Sequence, residues 1–316
     1  MRKREICFLL ALIAFSLYGK DIVRLNELSS VGGKFVILNN SIYTFDTKEY
    51  SLKIFSFNGK LILSKSIRGE GPGEVSTMGS FIAQSGENIL ILETIKKKWI
   101  EFDSNLKFLR EGRFEEPITI IKKIGKFSVG GVAGLEEGKY SRKIYLLSEN
   151  FDIKREVYKE YSKYLKNRMD ANEFYITLDT IDTLIAFGSG SKGKVKIIDI
   201  NGDLKKELEI KIKPTKYDED SLYTMQKLLP SRVKDLVKFE TYPLIFQVIF
   251  TSKDELLIVS GNVMKNNQAK SYLYNLKSQK MVSATIPMGI LSYHKNALFI
   301  MSEDENGCFL EKVKLR

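Results

Sequence analysis

The side chains that most often perform nucleophilic or metal chemistry are scarce in this 316-residue chain. It contains one histidine, His294, so a histidine-based metal centre or a serine–histidine–aspartate triad would have to use that residue. His294 stands beside a predicted hairpin turn, where we expect an exposed polar residue without a catalytic role. Of the two cysteines, Cys7 lies in an apolar N-terminal run, and Cys308 borders a predicted strand, where we expect a small core residue.

Carboxylates are plentiful, but none stands at a spacing that is typical of a catalytic pair or a metal loop. The segment Asp199–Asp203 has a superficial likeness to a calcium-binding loop, yet it lacks the downstream glutamate and coincides with a predicted hairpin turn. Trp99, the single tryptophan, is predicted to pack within the fold together with Phe102 and not to serve as a sugar-binding platform. The sequence therefore predicts no catalytic residue, no metal site and no cofactor.

The most distinctive stretch is Arg68–Val75, which reads RGEGPGEV. Glycine reaches positive φ without a steric clash, and proline fixes φ at about −65°. The stretch therefore predicts a sharp structural turn between two sheet modules, formed by Gly69, Gly71, Pro72, Gly73 and Glu74. Backbone N–H groups in such a turn can form a small anion-binding concavity. A phosphate-binding loop also needs a lysine and a serine or threonine at fixed spacing, and these are absent, so we expect a structural role.

The elements around this turn are short predicted strands that are grouped in packets. Apolar and polar residues alternate between turns rich in Asn, Gly, Ser and Asp, which predicts four strands in each of five packets and three in a sixth. The packets cover residues 34–67, 81–110, 118–158, 175–212, 244–285 and 290–313. A polar turn precedes the last strand; Asn58, Ser104 and Glu149 mark it in the first three packets, at intervals of 46 and 45 residues. A period of about 40–50 residues with four strands per unit is typical of propeller blades.

The sequence thus predicts an all-β fold, a six-bladed β-propeller with four-stranded antiparallel blades. The last packet has three strands, and Ile22–Leu28 is a predicted strand with no hairpin partner beside it in the sequence. We expect this N-terminal strand to close the last blade, because such pairing removes an exposed sheet edge. One domain would then cover residues 20–316.

The stretch RGEGPGEV also resembles the G-x-G-P-G-E turn that recurs in bacterial six-bladed β-propellers of the NHL/TolB-like kind. In that family the turn links two blades and an aromatic residue often follows the glutamate, whereas this chain has Val75. The resemblance implies the same fold. It also implies an alternative activity, because six-bladed propellers similar to this one include lactonases and lyases that hold a metal at the central channel. Glu74 and Asn88 would be contributors to such a site, although no clear set of ligands emerges.

Two segments interrupt the packets. Tyr158–Asp170 is polar and rich in tyrosine, and we expect a short helix or an excursion on the rim. The second interruption, about 213–240, is predicted to be a helical insertion. Within it, Asp218–Val237 places apolar residues on one helical face, and Pro230 divides it into two short helices. The insertion either covers the ring or docks a partner.

The N-terminus predicts export. Three basic residues follow Met1, an apolar run extends from Ile6 to Leu17, and small residues lie near its end. This pattern is typical of a secretory signal peptide, which we assign to residues 1–19; an uncleaved anchor is the alternative. The run is shorter than the about 20 residues that span a bilayer, so we expect no transmembrane span in the mature chain. The mature protein would be periplasmic or extracellular, with Cys308 as its one cysteine and no intramolecular disulfide.

The formal net charge is +11, and removal of residues 1–19, which carry three basic residues and one acidic residue, leaves +9. Basic and acidic residues are interleaved along the chain, which predicts an ordinary solvated surface and no nucleic-acid binding. The expected partner is an unknown protein or glycan in the cell envelope, and the chain is expected to be a monomer. We predict a non-catalytic binding scaffold. The alternatives are a metal-dependent, lactonase- or lyase-like enzyme and an assembly component that docks through the insertion.

Overall fold

The computed structural model describes residues 21–30, 34–76, 80–162, 169–216, 237–238, 241–264, 268–287, 289–304 and 306–314. Regular structure in these ranges is almost entirely β-strand, and the helical turns among them are two short 3-10 segments, Thr94–Lys96 and Ala171–Phe174. Neither these nor any other helix in the described ranges is long and apolar enough to cross a bilayer. The all-β prediction is confirmed.

The strands form four-stranded antiparallel sheets, which we number as blades in chain order. Strand β1 (Asp21–Arg24) comes first and belongs to the last blade. Blade 1 contains β2 (Phe35–Leu38), β3 (Ser41–Asp46), β4 (Ser51–Ser56) and β5 (Leu61–Ser66). Blade 2 contains β6 (Ser80–Ser85), β7 (Asn88–Glu93), β8 (Lys98–Phe102) and β9 (Phe108–Arg113). Blade 3 contains β10 (Ile120–Ile124), β11 (Phe127–Glu136), β12 (Lys139–Leu147) and β13 (Ile153–Ser162).

The second half of the chain repeats the pattern after a short strand, β14 (Met169–Asp170). Blade 4 contains β15 (Ile176–Ile181), β16 (Leu184–Ser189), β17 (Lys192–Asp199) and β18 (Leu204–Glu209). Strand β19 (Val237–Lys238) then pairs in parallel with β14. Blade 5 contains β20 (Ile245–Ser252), β21 (Glu255–Met264), β22 (Gln268–Asn275) and β23 (Met281–Pro287). Blade 6 contains β24 (Ile290–His294), β25 (Ala297–Asp304), β26 (Gly307–Lys314) and β1. The protein is a six-bladed β-propeller, as predicted.

The internal contacts divide the chain into two compact units. One unit is Met1–Ser66 with Pro287–Arg316 and holds blades 1 and 6, and the other is Ile67–Ile286 and holds blades 2 to 5. In the first unit, β1 pairs antiparallel with β26, and the N–H of Leu25 donates to the carbonyl of Cys308 at 2.9 Å. The prediction that the N-terminal strand closes the last blade is therefore confirmed. Cys308 is buried in this core, and burial raises the pKa of its thiol to about 11, so it stays protonated at neutral pH.

In the second unit, the core consists of apolar clusters that lie between successive blades. Trp99 of blade 2 packs edge-on against Phe151 of blade 3, with ring centroids 4.9 Å apart. Gly112 makes room for this indole, because a Cβ there would lie 2.5 Å from Cζ2 of Trp99. Similar clusters join blades 3 and 4 and blades 4 and 5. Trp99 and Phe102 are both buried, in agreement with the predicted packing role.

The turn between the third and fourth strands has the same backbone design in blades 1 to 4. The turn starts at the last residue of the third strand or at the residue after it. This residue donates its N–H to the carbonyl of the residue four positions later, at 2.9–3.0 Å. The residue three positions after the donor has positive φ. The positive-φ residues are Gly59, Leu106, Phe151 and Gly202. A register shift close to the end of the third strand accompanies the turn in each of these blades.

Glycine and large apolar residues occupy this positive-φ position for different reasons. A Cβ on Gly59 would lie 2.2 Å from the carbonyl oxygen of Arg24, and a Cβ on Gly202 would lie 2.3 Å from that of Val157. Leu106 and Phe151 are buried, so the hydrophobic free energy of their side chains offsets the strain of the left-handed backbone. The repeat therefore conserves a backbone shape and not a residue type.

The two segments that were predicted to interrupt the blades have no helix within 158–162 and 213–216, which are among the residues that the structure describes. Tyr158–Ser162 continue β13 and form neither a helix nor an excursion, because Ser141, Arg142 and their neighbours on a long β12 provide pairing partners for them. Residues 163–168 lie outside the described residues. In the insertion 213–240, residues 213–216 are not helical and Lys216 forms a bridge with Thr241. The predicted helices of Asp218–Val237 lie outside the described residues, except for Val237 in β19.

We predict that Gly202→Ala lowers the free energy of unfolding by about 1–3 kcal/mol, because a methyl group would meet the Val157 carbonyl. Gly125→Ala is the matched control: Gly125 also has positive φ, at 55°, but a Cβ added there would have nothing within 4 Å. Denaturant unfolding of both variants separates the free-energy cost of the steric clash from the cost of placing alanine at positive φ. Equal losses in the two variants would contradict the contact between Gly202 and Val157.

Candidate functional site

The turn predicted from RGEGPGEV lies between β5 and β6 in the chain. A parallel bridge joins Arg68 to Val75, the N–H of Gly69 donates to the Val75 carbonyl at 3.0 Å, and the N–H of Val75 donates to the Ile67 carbonyl at 2.7 Å. Gly69 and Gly73 have positive φ, at 151° and 76°. The stretch thus folds back on itself within a few residues.

Two carboxylates of the protein accept hydrogen bonds from backbone N–H groups of this turn. The Glu74 carboxylate accepts from the N–H of Gly71 at 2.8 Å, and it lies where a Cβ on Gly69 would be, 2.1 Å from that position. The Glu111 carboxylate accepts from the N–H of Gly73 at 2.7 Å and pairs with Lys98 at 3.0 Å. Burial opposes ionisation of Glu111, but these two partners together hold its pKa below the ordinary value. An external phosphate would have to displace both carboxylates.

The other candidate residues from the sequence analysis do not come together in one site. Glu74 bonds within the turn, whereas the side-chain amide of Asn88 donates to Glu101 at 3.1 Å. His294 is half-buried and not exposed as expected, because it is the last paired residue of β24, opposite Ala297. Burial and the neighbouring Lys295 lower the pKa of His294. Among the described residues, no group of three or more His, Cys, Asp or Glu side chains is arranged to hold a metal ion.

A charged cleft that the sequence analysis did not predict lies in blades 3 and 4. We call it the blade 3–4 cleft; it has a volume of about 180 Å³. Its walls come from β12 and β13 on one side and from β16, β17 and β18 on the other. The lining residues are Arg142, Glu160, Phe187, Gly188, Ser189, Lys192, Lys194, Lys196 and Glu207.

Arg142 is the most deeply placed cation of the cleft, with 2% of its surface exposed. Its guanidinium donates to Glu160 at 3.2 Å, to the Ser191 hydroxyl at 2.7 Å, and to both the carboxylate and the carbonyl of Glu173. Glu173 belongs to the 3-10 segment before β15, so that segment is tied to β12 by the arginine. The Nε of Arg142 is buried and has no hydrogen-bond partner among the described residues.

Three lysines line the opposite wall because alternate residues of a strand share one face. Lys194 pairs with Glu207 at 2.7 Å, Lys196 pairs with Glu160 at 3.1 Å, and Lys192 approaches Glu160 at 3.7 Å. Burial opposes the charge of Lys196, but hydrogen bonds to Tyr158 and Glu160 raise its pKa above the ordinary value. The hydrogen bond to Glu207 likewise raises the pKa of Lys194, so Lys194 and Lys196 are both cations at neutral pH.

The Glu160 carboxylate lies at the centre of this network and contacts cations of both walls. Its side chain is 17% exposed, so burial raises the pKa of the carboxyl, but Lys196 and Lys192 outweigh burial and hold that pKa below its ordinary value. Burial raises the pKa of the neighbouring Tyr158, which donates to Glu160 at 3.0 Å. The cleft therefore holds fixed ionised groups over a broad range around neutral pH.

Ser189 supplies an uncommitted polar group in the cleft. The residue is 5% exposed, and its hydroxyl has no hydrogen-bond partner in the part of the chain that the structure describes. Four cations and three carboxylates take part in the ion-paired network: Arg142, Lys192, Lys194, Lys196, Glu160, Glu173 and Glu207. The excess positive charge and the unpartnered donor suit the binding of an anionic group.

The cleft was not predicted, in part because Lys192 falls in a predicted loop, although Lys196 falls in the predicted strand Val195–Ile200. The sequence predicts a loop over Gly188–Gly193, but β16 continues to Ser189 and β17 begins at Lys192, so only two residues separate the strands. The alternation of lysines at 192, 194 and 196 is the signal that could have located one wall. The opposite wall is set by contacts across 31 to 49 residues, from Arg142 to Glu173 and from Arg142 to Ser191, and no local pattern indicates it.

Comparison with known proteins establishes the family. A family model described as DUF5128, 6-bladed beta-propeller, matches residues 20–183, a little over half of the chain. The chain belongs to this family. No curated protein matches the chain.

Two solved structures share the fold of this DUF5128 chain. A Bacteroides fragilis protein named "Putative exported protein" is 13% identical, with a TM-score of 0.58 and 96% of each chain covered. A member of the DUF4221 family from Bacteroides vulgatus is 9% identical, with a TM-score of 0.56, and the alignment covers 93% of this chain and 96% of that one. At such low identity, the likeness shows the fold alone.

We predict that Glu160→Gln lowers the free energy of unfolding at pH 7 by about 2 kcal/mol or more, because Arg142 and Lys196 lose a shared charged acceptor. The folded-state pKa of Glu160 is lowered, so its contribution is complete above the unfolded-state pKa and disappears as pH falls through the folded-state pKa. Denaturant unfolding between pH 7 and pH 3 should therefore show the two proteins converging in acid.

The control for this series is Glu209→Gln, which removes an exposed carboxylate from the adjacent strand β18. Its effect on the free energy of unfolding should stay within about 0.5 kcal/mol. A deficit of Glu160→Gln that does not change with pH would rule out an ionised Glu160 at the centre of the cleft.

Proposed function

We propose that this protein is an exported, non-catalytic β-propeller that binds an anionic ligand in the blade 3–4 cleft. The observation that carries the proposal is the pair of unpartnered donors in the cleft, the Ser189 hydroxyl and the Nε of Arg142. Buried polar groups in native proteins are nearly always hydrogen-bonded, and an unbonded one costs about 1–3 kcal/mol. A ligand that accepts hydrogen bonds would supply what the described residues do not.

The state of the charged groups supports binding and not catalysis. A general base needs a pKa near the working pH, but the pKa of Lys196 is raised and that of Glu160 is lowered, so both move away from neutrality. Lys196 is thus a fixed cation, and Glu160 is a weak base. Such groups are suited to holding a charged ligand in place through a rigid strand framework.

The place of action that we propose is the periplasm or the outside of the cell. Support comes from the basic and apolar pattern of residues 1–19, which is that of a signal peptide, and from the name of the structural neighbour from Bacteroides fragilis. The ligand would then be carried by a protein or glycan of the cell envelope. An NHL/TolB-like kinship is part of the proposal, and its support is the G-x-G-P-G-E turn.

We also propose that Gly69, Gly71, Pro72, Gly73 and Glu74 form a purely structural turn between blades. The contacts of Glu74 and Glu111 with the turn N–H groups support this role, because they leave those groups satisfied by the protein itself. Glu74 then acts as an internal hydrogen-bond acceptor and does not contact a ligand.

Binding of acidic ligands should depend on the lysines of β17. We predict that Lys192→Met with Lys194→Met weakens binding of acidic oligosaccharides or acidic peptides at least about tenfold, because charge-assisted hydrogen bonds are lost. A glycan and peptide array at physiological salt identifies binders, and calorimetry measures their affinity. Neutral analogues should not bind.

The matched control is Lys277→Met, which removes a lysine that is 71% exposed and pairs with Asp254 in blade 5. Its affinity should equal that of the unmodified protein. Acidic ligands that bind both variants equally well, or a substrate that the protein turns over, would disprove the proposal.

A further inference from the structure

The described residues satisfy the donors of the Arg142 guanidinium unequally. Nη1 donates to Glu160, whereas Nη2 donates to the carboxylate and the carbonyl of Glu173 and to the Ser191 hydroxyl. Nε has no hydrogen-bond partner among the described residues. In the planar guanidinium Nε and Nη2 share one edge with parallel N–H bonds, and an oxyanion binds such an edge through two oxygens. Glu173 therefore holds one of the two donors that such an anion needs.

Glu173 belongs to the short 3-10 segment Ala171–Phe174, which we call the linking segment because it joins β14 to β15. Its carboxylate accepts from Arg142 on β12 and, at 2.7 Å, from the Ser162 hydroxyl at the end of β13. Both donors belong to blade 3. A single turn of 3-10 helix has little stability of its own, so the position of the linking segment depends on these contacts.

The linking segment also holds the described ends of the insertion 213–240. The side-chain amide of Asn172 donates to the carbonyl and the hydroxyl of Thr241, at 3.0 and 3.3 Å. Thr241 in turn forms a bridge with Lys216, and the N–H of Tyr242 donates to the Thr215 carbonyl at 2.9 Å. Strand β14, which directly precedes the linking segment, pairs with β19. The contacts of the insertion thus converge on the residues that carry Glu173.

Gly190 connects the same contacts to the wall of the cleft. It lies between Ser189, which lines the cleft, and Ser191. Its N–H donates to the Tyr175 carbonyl at 3.2 Å, and its carbonyl accepts from the N–H of Leu244 at 2.6 Å. A Cβ at Gly190 would lie 2.9 Å from a carbonyl oxygen of the linking segment. The cleft wall, the linking segment and the chain after the insertion are therefore in direct contact.

We propose that an oxyanion bound in the blade 3–4 cleft displaces Glu173 from Arg142 and thereby releases the linking segment and the described ends of the insertion. The inference rests on the proposed function, since it names the regulation of the same cleft. The anion would bind the Nε–Nη2 edge through two oxygens, and a second carboxylate at that edge would be repelled. The linkage is reciprocal, so a change that frees Arg142 from Glu173 strengthens anion binding.

Glu173, and not Glu160, is the carboxylate that an anion displaces. Glu160 bonds Nη1, pairs with Lys196 at 3.1 Å and accepts from Tyr158 at 3.0 Å. Glu173 has the Arg142 guanidinium and a neutral hydroxyl as the partners of its carboxylate, and its side chain is 16% exposed. Removal of Glu173 from the arginine therefore breaks fewer charged contacts and leaves a carboxylate that lies close to water.

The first test removes the charge of Glu173 without any ligand. In Glu173→Gln, the amides of Tyr242 and Leu244 should exchange with solvent at least about tenfold faster, because the segment that holds them is no longer fixed to Arg142. The amide of Thr119, which donates to the Gly131 carbonyl in blade 3 at 3.0 Å, should be unchanged. Hydrogen exchange followed by NMR measures all three amides. No acceleration at Tyr242 and Leu244, or the same acceleration at Thr119, would overturn the inference.

The matched control is Glu207→Gln, which removes a carboxylate of the cleft lining that pairs with Lys194 at 2.7 Å. It changes the charge of the cleft by the same amount as Glu173→Gln does. Exchange at Tyr242 and Leu244 should stay as in the unmodified protein, because Glu207 has no contact with the linking segment among the interactions of the described residues. Acceleration in this variant would show a charge effect and would contradict release through Glu173.

The second test adds inorganic phosphate, with sodium chloride at equal ionic strength as the reference. Phosphate should accelerate exchange at Tyr242 and Leu244 in the unmodified protein and in Glu207→Gln, but it should have no further effect in Glu173→Gln. Calorimetry should show that Glu173→Gln binds phosphate at least about threefold more tightly than the unmodified protein.

The outcomes separate this inference from the proposed function. Phosphate that binds the unmodified protein without changing the two amides, or that binds Glu173→Gln more weakly, would overturn the displacement of Glu173 and preserve the cleft as an anion site. Phosphate that binds neither the unmodified protein nor Glu173→Gln would overturn both.

Discussion

Arg142 is buried on β12, and a buried guanidinium is stable only where carboxylates and other acceptors surround it. The structure of blades 3 and 4 around it follows from that requirement. Strands β12 and β13 are nine and ten residues long, and their extension brings Glu160 to the arginine. The 3-10 segment before β15 brings Glu173. Carboxylates gathered in this way attract the lysines of β17, and a cleft dense in charge is the consequence.

The fold was predictable because its information is local. Alternation of apolar and polar residues defines the strands, and the turn before each fourth strand is encoded by side chains that bond their own backbone. In blades 2 and 4, for example, the carboxylates of Asp103 and Asp199 each accept two backbone N–H groups of their own turn. Such contacts span two to four residues, so a single sequence shows them. The closure by β1 was also predictable, because a strand count leaves one strand without a partner.

The candidate site was not predictable, because the contacts that form it are not local in the sequence. Its ion pairs join residues that are far apart in the chain, and the register that brings Lys196 opposite Phe187 depends on where β16 ends. The glycines and serines at 188–193 have loop propensity, and strand pairing overrode it. His294 was misjudged in a similar way, since pairing with Ala297 half-buries a residue whose neighbours form a turn.

The internal repeat gives the structure its own standard of comparison. Where blades agree, as in the backbone of the third turn, the shared feature serves the fold. Blades 1 and 4 differ at the sixth residue of their second strands, Asp46 and Ser189, and the lysine on the next strand has different partners: Lys53 pairs with Asp46, whereas Lys196 pairs with Glu160 and Glu207. The same position in blades 5 and 6 is also serine, but without an equivalent of Lys196. The combination of cation, neutral hydroxyl and cleft is therefore specific to blade 4.

The most direct measurement is a crystal structure of the full chain after soaking with the acidic ligand that binds most tightly on the glycan and peptide array, in a lattice that leaves the blade 3–4 cleft open. The cleft should contain density for this ligand, with an acceptor oxygen within hydrogen-bonding distance of the Ser189 hydroxyl or the Nε of Arg142. A cleft that holds only water bonded to Ser189 and to the Nε of Arg142, with the ligand bound elsewhere or not at all, would contradict the assignment of this cleft as the binding site.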